Sequence, residues 1–424
     1  MLGVRFRVFV GLVCSLGDLA SDLYIINDYL NAGLTREAHR MIGLLAAGMV
    51  FNLWFTLLQY SKKSRLVRAK EMLVTITFLR PAQSAYRVAT GYVDLQLKWN
   101  PGEELTAFKC IELATESIPG TMLQAAVFVT NLQRTNMQLL SILFGISVTA
   151  FVSALVTFDA DVNVLNRKKR PDLYGFVPDS NSSRKKTFIQ LLLLAGLHNL
   201  TRVVSVSLFF AVDKRMAWAI LTLEILAFYL FKLLRKDFLT GLPNVEGCAR
   251  VSFAVVLHFI EQVLVNFTGL VHLRGPSLLG GLLFALSIIY SQILPFVALN
   301  IYTASSLPNK LPLTLLNKLL SSIACMWLVV VVYFFKTINR PYWSTFVAPT
   351  TASQYCRKTF LESNDPFTKM NAVFDNHLSF TEQIKPQIVE YIRMNIETWK
   401  EDQNKHAWFS QEFQAKIPDS YLQA

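Results

Sequence analysis

Nine apolar stretches constrain what this chain can fold into. Each is about 20 residues long, and a helix of that length crosses a hydrocarbon core about 30 Å thick. The stretches are residues 8–30, 41–60, 106–130, 137–158, 187–212, 216–234, 249–271, 278–303 and 313–335. No alternating pattern of strand-length segments recurs, which disfavours a transmembrane barrel. The sequence therefore predicts an all-α fold, a polytopic transmembrane helical bundle with about 8–9 spans.

The composition argues against a soluble protein. Hydrophobic residues make up 53% of the 424 residues and charged residues 17%, whereas charged residues are roughly 25% of a typical soluble domain. The mean hydropathy of +0.37 leaves too little polar surface to cover soluble domains of this size. The sequence contains no HExxH, P-loop, GxSxG or dinucleotide-binding motif, and its five cysteines form no CxxC pair. We therefore predict that the chain is not an enzyme and has no catalytic residue, cofactor or metal site.

A tenth apolar region, residues 72–93, differs from the nine stretches. It is interrupted by Arg80 and Pro81 and also carries Arg87. Proline removes a helical hydrogen bond, and a charged side chain is costly in lipid. Such a segment is tolerated at membrane depth where it is buried in protein. We therefore predict one or two broken or re-entrant helices, with this segment packed inside the bundle.

The basic residues cluster between the apolar stretches, and the formal net charge is +12. Five Lys and Arg residues lie within residues 62–70, and seven lie within residues 167–186. Because basic loops tend to stay on the cytosolic side, we expect both loops and the N-terminus there. Such clusters attract anionic lipid headgroups, so the predicted partners are membrane lipids and not nucleic acid.

The chain divides into two parts of different composition. Residues 1–335 form the predicted transmembrane bundle, and residues 336–424 form a polar tail of mixed charge. In the tail, Ile388, Ile392 and Ile396 recur at helical spacing with charged residues between them. This pattern is typical of an amphipathic helix, which we expect to fold back onto the protein surface.

Ionisable residues inside the predicted spans are the most informative feature, because a charge at the bilayer centre costs about 2.5–3.5 kcal/mol on insertion scales. The first span carries Asp18 and Asp22, and the third carries Glu112 and Glu116. Each pair has i,i+4 spacing, so each is expected to project from one helix face. We expect the four carboxylates to converge inside the bundle, with Arg202 within ion-pairing reach of at least one.

Further charged residues extend this candidate site. The complete candidate internal polar pathway consists of Asp18, Asp22, Glu112, Glu116, Arg202 and Glu261. Arg80 and Arg87 of the broken segment are additional cations that could compensate these acids. Pro119 and Gly120, one turn after Glu116, are a candidate helix kink, because proline frees a backbone carbonyl. Alternatively, the charges only fasten helices together, which is the simpler explanation for any single pair.

Several of these segments resemble the XK-related membrane proteins. GLVCSLGDLASDLYIINDYL is similar to their opening helix with its spaced aspartates. IELATESIPGTMLQ is similar to their signature helix, with Gly120 where that family usually carries glutamine. LLLLAGLHNLTRVVSVSLFFAV and HFIEQVLVNF resemble later helices with a central arginine and a Glu-Asn step. RPAQSAYRVATG and the tail's AWF…KIPDSY look instead like a group of uncharacterised multi-pass proteins from protists and algae.

The resemblance implies two pseudo-symmetric halves, residues 1–165 and 185–303, together with half-membrane helices. It also implies, from some relatives, phospholipid scrambling across the plasma membrane, with the six pathway residues along the route of the headgroups. The leading hypothesis is accordingly an XK-like phospholipid scramblase. An ion channel or proton-coupled transporter that uses the same acids is the first alternative, and a non-transporting scaffold or receptor is the second.

Overall fold

The computed structural model describes most of the predicted bundle. The described residues are 4–92, 94, 97, 99–130, 135–163, 166–167, 173–235, 238, 248–274, 281–305 and 312–338. The predicted amphipathic helix of the tail lies outside the described residues, as do residues 168–172 of the second basic loop.

Helices account for nearly all of the described chain. The α-helices are α1 (Val4–Asn31), α2 (Thr35–Gln59), α3 (Arg65–Ile76), α4 (Arg80–Thr90), α5 (Pro101–Glu112), α6 (Ile118–Thr130), α7 (Asn136–Val162), α8 (Asn181–Val212), α9 (Lys214–Leu234), α10 (Cys248–Thr268), α11 (Gly281–Ala304) and α12 (Leu313–Thr337). A π-helical segment, Leu113–Ser117, joins α5 to α6, and a short 3-10 helix, Val271–Arg274, follows α10. The described residues contain no β-strand.

Eight helices in the described part of the chain, namely α1, α2 and α7 to α12, are long and apolar enough to cross a bilayer. Large apolar side chains are exposed on them, for example Leu23 on α1 and Trp218 on α9. Such surfaces are stable against lipid, where the helix satisfies its own backbone hydrogen bonds. The chain is therefore a multi-pass membrane protein, and the prediction of an all-α polytopic bundle is confirmed.

The predicted third span, residues 106–130, is divided into α5, the π segment and α6. Together these three segments form one helical path over residues 101–130, which would be roughly 45 Å long at 1.5 Å per residue. The path begins at Asn100, whose side chain accepts a hydrogen bond from the backbone N–H of Glu103. The Glu103 carboxylate in turn accepts a hydrogen bond from the backbone N–H of Asn100, so this end is fixed by a complete capping box.

The predicted broken helix is confirmed as a pair of short helices, α3 and α4, which we call the hairpin. Phe78 lies between them with a φ of 57°, in the left-handed region that ends a helix. Pro81 occupies the first turn of α4, where its missing N–H is tolerated. At 12 and 11 residues, each helix is shorter than the roughly 20 residues that a full crossing requires. Entry of the hairpin into the membrane remains a prediction.

The helices pack around two different centres. α8 is central to the second half and packs against α6, α7 and each helix from α9 to α12. α1 packs closely against α2, α4 and α7, and polar side chains hydrogen-bond it to α5, the π segment and α6. The candidate functional site lies at the interface of α1 with α5, α6 and α7.

Candidate functional site

A row of polar side chains fills the interface that α1 shares with α5, α6 and α7, and we call it the polar ladder. Its members on α1 are Ser15, Asp18, Ser21, Asp22 and Asp28, and its members on the facing helices are Lys109, Glu112, Ser117, Gln124, Gln138 and Ser141. Asp18 and Asp22 are each only 5% exposed. Such buried carboxylates require hydrogen-bond donors, and each has one from the facing helix.

The first rung of the ladder joins Ser15, Lys109 and Glu112. The Ser15 hydroxyl donates a hydrogen bond of 2.5 Å to Glu112 Oε1, and Lys109 Nζ lies 3.0 Å from Glu112 Oε2. Lys109 Nζ also donates to the Ser15 hydroxyl. Lys109 is 6% exposed, so its ammonium group is held inside the protein by these two partners. This rung combines a buried cation with a carboxylate.

The middle of the ladder is acidic. Ser117 Oγ donates a hydrogen bond of 2.6 Å to Asp18 Oδ2, and Gln124 Nε2 donates one of 3.0 Å to Asp22 Oδ1. Gln124 Oε1 in turn accepts a hydrogen bond of 2.9 Å from the Ser141 hydroxyl of α7. Hydroxyl and amide groups therefore bind both aspartates, and no cation does so among the described residues.

The last rungs connect α1 with α7. The Ser21 and Ser141 hydroxyls lie 2.8 Å apart, and Gln138 Nε2 donates a hydrogen bond of 3.2 Å to Asp28 Oδ2. The ladder thus runs from Ser15 to Asp28 along α1, which is about 20 Å at 1.5 Å per residue. This length is about two thirds of a hydrocarbon core of about 30 Å.

The π segment determines which residues of the third span face α1. In an α-helix, Glu116 would repeat the position of Glu112, but a π-helix has i,i+5 hydrogen bonding and therefore a longer repeat. Ser117 takes the place next to Asp18, and a Cβ atom added to Gly48 of α2 would lie 3.0 Å from Glu116 Oε2. Glu112 hydrogen-bonds Ser15 of α1, whereas the Glu116 carboxylate lies beside Gly48 of α2.

Glu116 nevertheless stays close to the ladder. It is partly buried and lies within electrostatic range of Glu112, Asp22 and Asp18. Within the described part of the chain, its carboxylate makes no hydrogen bond or ion pair. Asp18, Asp22, Glu112 and Glu116 thus lie close together at this interface, and the Glu116 carboxylate is on the side of α2.

The candidate kink at Pro119 and Gly120 corresponds to this π segment. Pro119 has no N–H to donate to the carbonyl of Thr115, which is the residue four positions earlier. The helix departs from α geometry over Leu113–Ser117, directly before the proline, and resumes at Ile118. Gly120 permits close approach, since an added Cβ atom would lie 3.6 Å from Met41 and 3.8 Å from Asp22 Oδ2.

Arg202 belongs to a different cluster, in the second half of the bundle. It is fully buried on α8, and its Nη2 lies 2.7 Å from Glu224 Oε2 on α9. Asn266 Nδ2 donates a hydrogen bond of 2.9 Å to the same oxygen, and the Arg202 guanidinium lies 5.0 Å from the ring centroid of Phe267. The expected pairing of Arg202 with an acid of the first or third span is therefore wrong, because Glu224 on the adjoining helix is its partner.

Glu261 lies apart from both groups. Its Oε2 atom lies 2.9 Å from Nδ1 of His258, one turn earlier on α10. His258 Nε2 lies 2.9 Å from the carbonyl oxygen of Phe238, which fixes the ring. The six predicted pathway residues thus occupy three clusters, and four of them lie in or beside the ladder.

Arg80 and Arg87 are also occupied elsewhere. Both pair with Glu71 of α3 and Glu104 of α5, and we call these four residues the hairpin clamp. Arg87 Nη2 lies 2.6 Å from Glu71 Oε1, and both arginines contact the hydroxyl of Tyr60. The clamp balances two cations with two anions, so these arginines pair with Glu71 and Glu104 and not with the ladder acids.

Sequence reasoning missed Lys109, Ser117 and Gln124. Lys109 lies inside a predicted span, three residues before Glu112, and that spacing is itself a signal for an intrahelical ion pair. Ser117 and Gln124 carry no charge, so nothing in their residue type distinguishes them from other polar residues in a membrane helix. Their spacing of seven residues, which is two helical turns, gives the only pattern that relates them.

Comparison with known proteins assigns the chain to no family. No protein-family model matches the chain, and no curated protein matches it. The described residues contain no group of three or more His, Cys, Asp and Glu side chains arranged to hold a metal ion. Inferences about function therefore depend on the geometry of the ladder.

Proposed function

We propose that the polar ladder is a route along which polar groups cross the membrane, and that the species moved is a phospholipid headgroup, as in an XK-like scramblase. The observation that supports this proposal is the row of four hydrogen-bonded polar groups that are spaced along α1 from Ser15 to Asp28. The row is buried between helices whose outer faces are apolar. A headgroup on this route would meet polar partners while its acyl chains stay in lipid.

The charge of the ladder favours a zwitterionic or cationic species. Four ladder carboxylates and the nearby Glu116 face one buried ammonium group, that of Lys109, among the described residues. The ammonium of a zwitterionic headgroup would be attracted to the excess acids, and its phosphate to Lys109. An anion without an ammonium group would be repelled over most of the route.

Movement of α1 is part of the proposal. Asp18 and Asp22 are 5% exposed, so the ladder is closed in this conformation. The opposite side of α1 exposes Leu16 and Leu23, at 47% and 54%, and contacts lipid alone on that side in our proposal. A displacement of α1 away from α5 and α6 would exchange side-chain hydrogen bonds for contacts with the headgroup.

Transport of protons or small cations is the second candidate, and a specific observation favours it. Carboxylates alternate with hydroxyl and amide groups along the ladder, for example Glu112 with Ser15 and Asp18 with Ser117. Chains of ionisable residues buried in a membrane bundle are typical of proton relays. The same variants test both candidates.

The experiment is reconstitution of the full chain into liposomes, with fluorescent-lipid flipping and proton or cation flux measured in parallel. For the scramblase we expect lipid flipping that Asp22→Asn and Glu116→Gln reduce, while both variants remain folded. The matched control is Glu37→Gln, which removes a carboxylate that pairs with Arg40 at 3.7 Å outside the ladder. Flux without lipid flipping would support the second candidate.

A purely structural role has a different signature. If the ladder only fastens helices, Asp22→Asn and Glu116→Gln should lower thermal stability, and neither lipid nor ions should move in the unmodified protein. The chain would then be a scaffold or receptor. We further propose that the protein resides in the plasma membrane, with the basic residues of 62–70 and 167–186 at anionic headgroups, and that its activity is not enzymatic.

A further inference from the structure

A cavity of about 40 Å³ lies where α1, α4, α5 and α7 meet. Gly11 of α1, Ala85 of the hairpin and Leu155 of α7 form apolar parts of its wall. Lys109 lines it too, and the same ammonium group belongs to the first rung of the ladder. The cavity and the ladder therefore share one residue.

The polar part of the lining suits water. Most of the lining surface is apolar, and Thr106, Lys109 and Asp159 are the polar and charged residues in it. A cavity needs about 10–15 Å³ of space to hold one water, and a buried water needs two to four polar partners, so this cavity has room for a water beside Lys109. An ammonium group has three donors. Ser15 and Glu112 accept two from Lys109, which leaves one for a water molecule.

The cavity lies at one end of the bundle, and the ladder begins beside it. Thr106 lies in the second turn of α5, Asp159 in the last turn of α7, and Gly11 in the first third of α1. These three places are at one end of the bundle, where α1 and α5 begin and α7 ends. The ladder continues from Lys109 to Asp28, close to the opposite end of α1. Cavity and ladder thus follow one another across the bundle.

We infer that this cavity is an aqueous inlet, which brings water to Lys109 and so hydrates the first rung of the ladder. An ion pair buried away from water costs several kcal/mol per ion, and hydration of Lys109 and Glu112 from the inlet reduces that cost. Pro81 and Ala85 make the hairpin one wall of the inlet, and the hairpin clamp holds that wall in place. The inference extends the proposed function, but water can reach Lys109 whether or not the ladder conducts.

Thiol labelling in liposomes tests the inlet directly. In a chain whose five native cysteines are replaced by serine or alanine, Thr106→Cys and Ala85→Cys each place one thiol on a different wall. Leu23→Cys is the control, because its side chain is exposed on the lipid-facing side of α1. The probe is a membrane-impermeant, cationic methanethiosulfonate. Since lipid excludes a cation, we expect both wall variants to react at least about tenfold faster than the control.

Two further results complete the test. Gly11→Leu adds a side chain at the wall and is expected to slow the labelling of Thr106→Cys without unfolding the protein. If both wall variants react no faster than Leu23→Cys, or react only with an apolar maleimide, the inlet is not hydrated and the inference is wrong. Labelling without any lipid or ion movement would support the inlet and contradict the proposed function. Lipid or ion movement without labelling would support the proposed function and contradict the inlet.

Discussion

Ser117 Oγ donates a hydrogen bond of 2.6 Å to Asp18 Oδ2 across the interface between the π segment and α1. Both side chains are buried, at 3% and 5% exposure. The contact depends on the π segment, because a regular α-helix would present residue 116 and not residue 117 in line with Glu112. A local departure from α geometry therefore decides which donor reaches the first aspartate of the ladder.

We predict that Ser117→Ala lowers the thermal stability of the protein in detergent. The variant leaves one oxygen of a buried carboxylate without its donor, which costs about 1–3 kcal/mol. Ser147→Ala is the matched control, since the Ser147 hydroxyl is exposed and bonds only the Leu143 carbonyl of its own helix at 2.7 Å. The double variant Asp18→Asn with Ser117→Ala should lose less stability than the sum of the single variants. Additive losses would contradict direct coupling of the two side chains.

Removal of Arg80 should weaken the hairpin more than removal of an exposed arginine. Arg80→Met leaves Glu71 and Glu104 buried with only Arg87 to pair with them, and losing one partner of a buried pair costs about 3–5 kcal/mol. Arg40→Met is the control, because Arg40 is 53% exposed in its pair with Glu37 and such pairs contribute about 0–1 kcal/mol. The measurements are thermal unfolding and tryptic cleavage within residues 62–70. Equal effects of the two variants would show that the clamp is not a buried anchor.

The second basic loop should respond to pH through Asp179, which lies outside the membrane-spanning helices. Hydrogen bonds from Arg184 at 2.7 Å and Arg167 at 2.9 Å hold the pKa of Asp179 below its ordinary value. A carboxyl group with a lowered folded-state pKa stabilises the fold above its unfolded-state pKa of about 4. That stabilisation is lost as the pH falls through the folded-state pKa.

The measurement is the difference in Tm between the unmodified protein and Asp179→Asn. We expect the difference to be constant from neutral pH down to about pH 5 and to shrink below about pH 4. Salt should reduce it, because Asp179 is 78% exposed and its ion pairs are screened. A difference that persists unchanged in acid would rule out titration of this carboxyl group.

The parts of the fold that could be predicted from the sequence depend on local properties. The length of an apolar stretch must match the thickness of the bilayer, which gave α1, α2 and α7 to α12 their approximate bounds. The break near Pro81 was also predictable, because proline and two arginines contradict a plain span within one short segment. Asp18 and Asp22 share a face because α1 is regular over that region.

The pairing of charges could not be predicted in the same way. Glu71 precedes the break in the hairpin and reads as part of a basic loop, yet it is 4% exposed and pairs with Arg80. Arg202 had several acids available in the sequence, and only the packing of α8 against α9 selects Glu224. The π segment changes which residues of the third span face α1. The sequence analysis assumes 3.6 residues per turn throughout the span, and so it does not predict this change. Ion-pair partners of this kind depend on how the helices pack together, and the sequence of one helix does not determine them.

The last prediction concerns the close approach of α6 and α7 beside the ladder. A Cβ atom added to Gly145 of α7 would lie 2.6 Å from Oγ1 of Thr121 on α6, which is closer than such atoms can pack. Gly145→Ala should therefore destabilise the protein by about 1–3 kcal/mol in thermal unfolding, as overpacking of a core does. Gly43→Ala on α2 is the control, because an added Cβ atom there meets nothing within 4 Å.

The contact also predicts a rescue. The Thr121 hydroxyl donates only to the Ser117 carbonyl of its own helical path, at 2.8 Å, so Thr121→Ala alone should cost little. Combined with Gly145→Ala, it removes the oxygen that the new methyl group would meet, and the double variant should unfold close to the temperature of Thr121→Ala. Ser141 of α7 donates to Gln124 of α6, which donates to Asp22, so a tight α6–α7 contact keeps the donor of Asp22 in place. If Gly145→Ala proves as harmless as Gly43→Ala, the two helices lie further apart than described, and that part of the ladder is less rigid than its hydrogen bonds imply.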